Sequence, residues 1–113
     1  MHEMSLCEGV IQIIEDSAKQ QSFEKVTSVY LDVGALSGVE IPALQFCFDV
    51  VCRNSIAEGA KLHINEIPAV AWCMWCCESV EIKQRYDSCP KCNKHQLHVT
   101  SGDEMKLREM EVE

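Results

Sequence analysis

The chain has 113 residues, 47% of them hydrophobic, enough for one domain or for a small domain carrying a metal-stabilised module. Eighteen acidic residues against ten basic ones give a formal charge of −8, which argues against nucleic acid as a partner, because phosphate is bound through clustered Lys and Arg. No apolar run reaches the roughly 18 residues of a membrane span, no basic-then-apolar leader opens the chain, and eight cysteines without a leader point to the cytoplasm. There C-x-x-C pairs bind metal or do redox work rather than form structural disulfides.

Taken in chain order, residues 5–20 are predicted to form an amphipathic helix. Met4, Cys7, Ile11, Ile14 and Ala18 recur at helical spacing, and Val10 and Ile13 widen the stripe. Ser5-Leu-Cys-Glu8 fits a capping box and places the helix start near Ser5, with Met1, His2 and Glu3 outside it. Residues 25–34 alternate, with Val29, Leu31 and Val33 on one face and Ser28, Tyr30 and Asp32 on the other: a half-buried strand.

Ala35 to Gly38 is a turn. Pro42 suits the first turn of a second helix, where its missing N–H has no partner to lose. Leu44, Phe48 and Val51 make its stripe, with Cys47 and Phe46 beside them, and Asn54 or Ser55 ends it. Residues 61–67 alternate as a strand with Leu62 and Ile64 inward, and Pro68 marks the exit. Residues 105–113 read as a last strand. The predicted fold is α+β: a small sheet with two helices, plus an inserted zinc-ribbon-like module. Residues 1–68 and 101–113 form the α+β domain and 69–100 the module, whose short strands are expected at 79–83 and 95–99.

The module contains Cys73-Met-Trp-Cys76 and Cys89-Pro-Lys-Cys92, two pairs with twelve residues between them. Each pair can form a knuckle that aims both sulfurs at one ion. Zn(II) favours such a closed tetrahedral thiolate cage. Cys77 directly follows Cys76 and competes with it on paper, but the two-residue spacing favours Cys76 and leaves Cys77 as a spare thiol.

The chain opens Met1-His2-Glu3. Met1 should be retained, because the next residue is bulky. Its amine, the His2 amide nitrogen and the His2 Nδ1 close a five- and a six-membered chelate ring. Three coplanar nitrogens suit a square-planar Ni(II) or Cu(II) ion rather than tetrahedral Zn(II). Glu3 is next in line as a fourth donor. Taken alone, a terminal histidine reads as a solvated residue.

Three segments together change that weighing. Met1-His2-Glu3-Met4-Ser5, Gly34-Ala-Leu-Ser-Gly-Val39-Glu40 and the paired cysteines resemble the HypA/HybF family of hydrogenase maturation factors over essentially the whole chain. The resemblance implies a cytosolic metallochaperone that delivers Ni(II) for [NiFe]-hydrogenase maturation. It implies nickel on His2, with Met1 and Glu3 in support and Glu40 as a further acidic residue near the metal. It implies structural zinc on Cys73, Cys76, Cys89 and Cys92. The implied partners are a nickel-handling GTPase and the hydrogenase large-subunit precursor; some members also serve urease. Monomer and homodimer both stay open.

Two rivals stand beside this reading. One is a zinc-ribbon protein–protein interaction module without a nickel role. The other is a thiol–disulfide enzyme, but neither C-x-x-C stands at a helix start beside a βαβ unit. No nucleophile–base constellation or phosphate-binding glycine loop is present, so no enzyme is expected. Cys7, Cys47 and Cys52 read as buried thiols, and His63 as solvent-facing. His95 and His98 read as an exposed ribbon face, with a hydrogen bond to a thiolate as the alternative. Trp72 and Trp75 are expected to pack around the zinc site, and Glu109, Glu111 and Glu113 to form a solvated face.

Overall fold

The computed structural model describes residues 3–113. Helix α1 spans Glu3–Gln21, strand β1 Val26–Gly34, helix α2 Ile41–Cys52 and strand β2 Lys61–Ile67. Three short strands follow, β3 Ala69–Cys73, β4 Glu78–Ile82 and β5 Leu97–Ser101, and β6 Met105–Val112 closes the chain. One three-stranded sheet has the order β2-β1-β6 and a second the order β4-β3-β5. The second sheet is thus inserted between β2 and β6, the two strands that flank β1, as the sequence predicts.

Contacts divide the chain into two compact units. The first comprises Met1–Leu31, Val39–Ile64 and Leu107–Glu113, and the second Asp32–Gly38 and Asn65–Lys106.

In the first unit α1 packs on α2. Cys7, Val10, Ile11 and Ile14 of α1 and Leu44, Phe48 and Cys52 of α2 are the buried side chains. The Cys7 thiol donates to the Leu44 carbonyl at 3.6 Å. Several sequence expectations need correction here. The helix begins at Glu3, so Ser5 lies inside it and cannot cap it, and Glu3 belongs to the helix. Met4 and Ile13 at the stripe's margins are 36% and 52% exposed. Phe46 is 68% exposed, and Cys52, four residues after Phe48, completes the buried stripe where Val51 is only half-buried. Pro42 does sit in the first turn of α2, with Glu40 as N-cap residue.

Strand β1 is more buried than a one-sided strand. Ser28 and Asp32 are buried on the face opposite Val29, Leu31 and Val33. The reason is position: β1 is central, so side chains of the flanking strands close over its short polar residues, as where Asn65 of β2 donates to Asp32 at 3.2 Å. Tyr30 stacks on His63 with ring centroids 4.4 Å apart, and its hydroxyl donates to Glu111 at 2.5 Å. That contact raises the Tyr30 phenol above its ordinary value, the hydrogen bond to Glu111 being the main cause. His63 is exposed, as expected.

In the second unit three backbone segments cross closely. The Gly34 amide donates to the Glu104 carbonyl, the Ala35 amide to Ile67 and the Leu36 amide to Gly102, at 2.7–2.9 Å. Gly102 has φ +86°, and a Cβ there would stand 2.5 Å from the Pro68 carbonyl oxygen and 2.6 Å from the Ala69 Cα. Only glycine fits that crossing. The β3 strand, which alternation alone does not reveal, pairs antiparallel with both β4 and β5, with Trp72 opposite Ser79 on one side and His98 on the other. Ala69, Ala71, Cys73, Val80, Ile82 and Cys89 form this unit's core, with Leu36, Leu97 and Val99 packed against it.

Candidate metal centre

Cys73 ends β3 and Cys76 follows in the turn before β4; Cys89 and Cys92 lie in the turn before β5. The two turns repeat one local design. The amide four residues after the first cysteine donates back to that cysteine's carbonyl, from Cys77 to Cys73 and from Asn93 to Cys89, both at 2.8 Å. Both closing residues have left-handed backbone, with φ 54° at Cys77 and 60° at Asn93. Asparagine tolerates that conformation well, and cysteine less so. Inside the turns, the Cys76 amide donates to Cys73 Sγ and the Lys91 amide to Cys89 Sγ, each at 3.4 Å. At Cys89 the bond from Lys91 favours the thiolate form.

The four sulfurs of Cys73, Cys76, Cys89 and Cys92 lie within 4.8 Å of one another. The contacts between knuckles are Cys73 to Cys92 at 3.7 Å and Cys76 to Cys89 at 4.0 Å. A tetrahedral ion bound at about 2.3 Å to four sulfurs requires sulfur–sulfur edges of about 3.8 Å. The donor set therefore fits one four-coordinate thiophilic ion with no position left for water or substrate, the arrangement of a structural rather than a catalytic site.

Protons are shared unevenly among these thiols. Burial pushes Cys89 up, but the amides of Cys92 and Lys91 and the thiols of Cys92 and Cys73 outweigh it and bring it to about 7. Cys76 is pushed up to about 12, chiefly by its hydrogen bond with Cys92 and then by burial. Metal binding must displace the protons that remain.

Cys77 lies outside the cluster. Its side chain is exposed and its thiol points to the Met74 carbonyl at 3.7 Å. Two tryptophans depart from expectation. Trp72 is 41% and Trp75 65% exposed, so neither is packed away around the sulfurs. Trp75 instead carries the Lys94 ammonium 4.0 Å above its ring. Lys91 pairs with Glu78 at 2.5 Å. Motif spacing does not distinguish these two lysines; their sequence signal is a cation inside, and a cation just after, the second C-x-x-C. His95 and His98 are exposed.

At the other end of the chain, Met1 and His2 lie outside the described residues. Glu3 and Glu40, from separate parts of the sequence, come together: the Glu40 amide donates to a Glu3 carboxylate oxygen at 3.4 Å. A carboxylate at the start of α1 thus meets the residue that opens α2.

The comparisons agree with this arrangement. Residues 1–112 match the family described as hydrogenase/urease nickel incorporation, metallochaperone, HypA. The chain is 58% identical to hydrogenase maturation factor HypA 2 of Bradyrhizobium diazoefficiens and 52% identical to hydrogenase maturation factor HypA of Azotobacter chroococcum, in each case over 100% of both chains. Its fold is similar to the solution structure of the Ni metallochaperone HypA from Helicobacter pylori, with TM-score 0.73, 25% identity and coverage of 99% of this chain and 97% of that one. The chain belongs to the HypA family of hydrogenase/urease nickel-incorporation metallochaperones.

Proposed function

We propose that the chain carries Ni(II) at its N-terminal end, with His2 as the essential donor and Met1 and Glu3 in support. Its Cys73, Cys76, Cys89 and Cys92 would hold structural Zn(II). Delivery would be to the large-subunit precursor of a [NiFe]-hydrogenase, together with a nickel-handling GTPase, in the cytoplasm. Residues 1–68 and 101–113 would form the nickel-binding domain and 69–100 the zinc-binding module. The protein is not an enzyme: its family is one of metallochaperones and its relatives are named maturation factors.

The observation that carries this reading is the pairing, within one member of a nickel-incorporation family, of a Met-His-Glu start with a separate, closed four-sulfur cluster. The two sites suit different ions. A closed sulfur cage has no open coordination position through which to hand over cargo, whereas a terminal nitrogen chelate exposes its metal. The Glu3 contact to Glu40 supports placing Glu40 near the nickel.

The test is Ni(II) titration of untagged protein, with metal analysis and absorption spectra, against His2→Ala. One zinc and one additional nickel are expected, with the nickel lost in the variant and zinc retained. Nickel binding unchanged in a folded His2→Ala protein would refute the assignment. Protonation of His2, with an ordinary pKa of about 6.5, is expected to weaken nickel as pH falls below that value.

A further inference from the structure

We infer that Lys91 and Lys94 are positioning residues that clasp the two cysteine knuckles together and set how fast the four-sulfur site exchanges its metal. The inference rests on the zinc assignment above and concerns residues that do not ligate the ion.

Each lysine reaches from the second knuckle to the first. Lys91 stands between Cys89 and Cys92, and its ammonium pairs at 2.5 Å with Glu78, two residues beyond Cys76. Lys94 stands two residues beyond Cys92, and its ammonium lies 4.0 Å over the ring of Trp75, between Cys73 and Cys76. The two bridges therefore use one residue inside a knuckle and one just past it, with the roles reversed between them. The sulfur contacts cross the same divide, Cys73 to Cys92 and Cys76 to Cys89. For the ion to leave the cage the sulfurs of the two knuckles must part, and parting them breaks both bridges.

Charge acts in the same direction. Four thiolates around a divalent ion carry two net negative charges, and both lysines bring a cation to the rim of that cage. The Trp75 ring, although 65% exposed, has a defined task within the chain: it is the seat for the Lys94 ammonium. A cation over an indole face is attracted by the ring's negative face.

The experiment uses the full chain as purified, with zinc content measured first. Zinc transfer to a chromophoric chelator in excess is followed for wild type, Lys91→Gln, Lys94→Met and the double variant. Each single change should speed release about threefold and the pair about tenfold, the range that exposed ion pairs and cation–π contacts allow. Lys94→Arg, which keeps a cation on Trp75, should restore the slow rate, and Trp75→Leu should match Lys94→Met without a further increase when the two are combined. Raising salt should speed wild-type release and leave the double variant nearly unchanged, since screening acts on the bridges. Tetrathiolate Co(II) spectra of the variants verify that the cage still forms. Equal release rates in wild type and a correctly folded double variant would overturn the clasp. Absence of stoichiometric zinc from the wild type would overturn the zinc assignment instead.

Discussion

The two units reach stability by different routes. The first buries full-sized hydrocarbon side chains: Ile14, Leu31, Leu44, Val26 and Val29 are fully buried there. The second has a core of six buried residues, two of them alanines and two of them metal-site cysteines. Area removed from water contributes about 25 cal/mol per Å², so alanine-lined sheets gain little from burial. Small modules of this kind lean on a bound ion, whose binding energy then becomes folding energy. Metal therefore organises the core of the second unit, while the core of the first stands on packing.

Removing the cage's metal should separate the two units most strongly. Chelation, or Cys89→Ser, should release protection of the β3–β5 amides, a loss on the order of 10 kcal/mol of metal-linked stability. Amide exchange in α1 and α2 should be nearly unaffected. Protection of β3–β5 retained in verified metal-free protein would show that the alanine core suffices.

A converse change comes next in size. Leu44→Ala deletes a fully buried side chain on α2 and should cost about 2–5 kcal/mol. Denaturation followed by a probe on α1 should shift, while metal content stays at the wild-type level. Loss of metal in a folded Leu44→Ala protein would make the two units energetically one.

Smallest at ordinary pH, because it sets in only above the usual thiol value, is the effect on pH dependence. Burial, with help from Cys47, Cys52 and Glu3, pushes the Cys7 thiol up to about 12, and burial with Asp49 pushes Cys52 up to about 11. The ordinary thiol value is 9.0. As pH rises past that value the unfolded chain gives up these protons first and the folded chain retains them. Their contribution is therefore whole below pH 9.0 and is lost progressively toward pH 11 and 12. Denaturation midpoints of the first unit should fall across that window, and the fall should flatten in Cys7→Ala/Cys52→Ala protein. An identical slope in that variant would exclude the thiols as its source. Cys77, exposed beside the cage, should be alkylated well before either.

Much of this molecule is visible in its amino-acid order, because the signals are local. Two residues between cysteines define a knuckle. Alternation defines β1 and β2, and Pro42 defines the start of α2. The expectation of an inserted module followed by one more strand describes the observed chain path. Local signals also mislead where a neighbour decides. Ser5 matches a capping box, yet α1 begins at Glu3. Phe46 is as apolar as Phe48, yet helical phase turns it outward. Strand β3, Ala69-Val-Ala-Trp-Cys73, is apolar at every position and shows no polar alternation, so its two partners define it.

By itself, then, the sequence determined the spacing of the four cysteines that cluster, the order of every element but β3, and the family, since each depends on residue types at short spacings. Tertiary structure alone decided that β1 is central and buried on both faces, that Glu3 meets Glu40, and that Lys91 and Lys94 reach across to Glu78 and Trp75. Those contacts join residues from about a dozen to several tens of positions apart in the chain. No local pattern encodes which distant partner a lysine or a carboxylate will meet; only the folded backbone brings the two within reach.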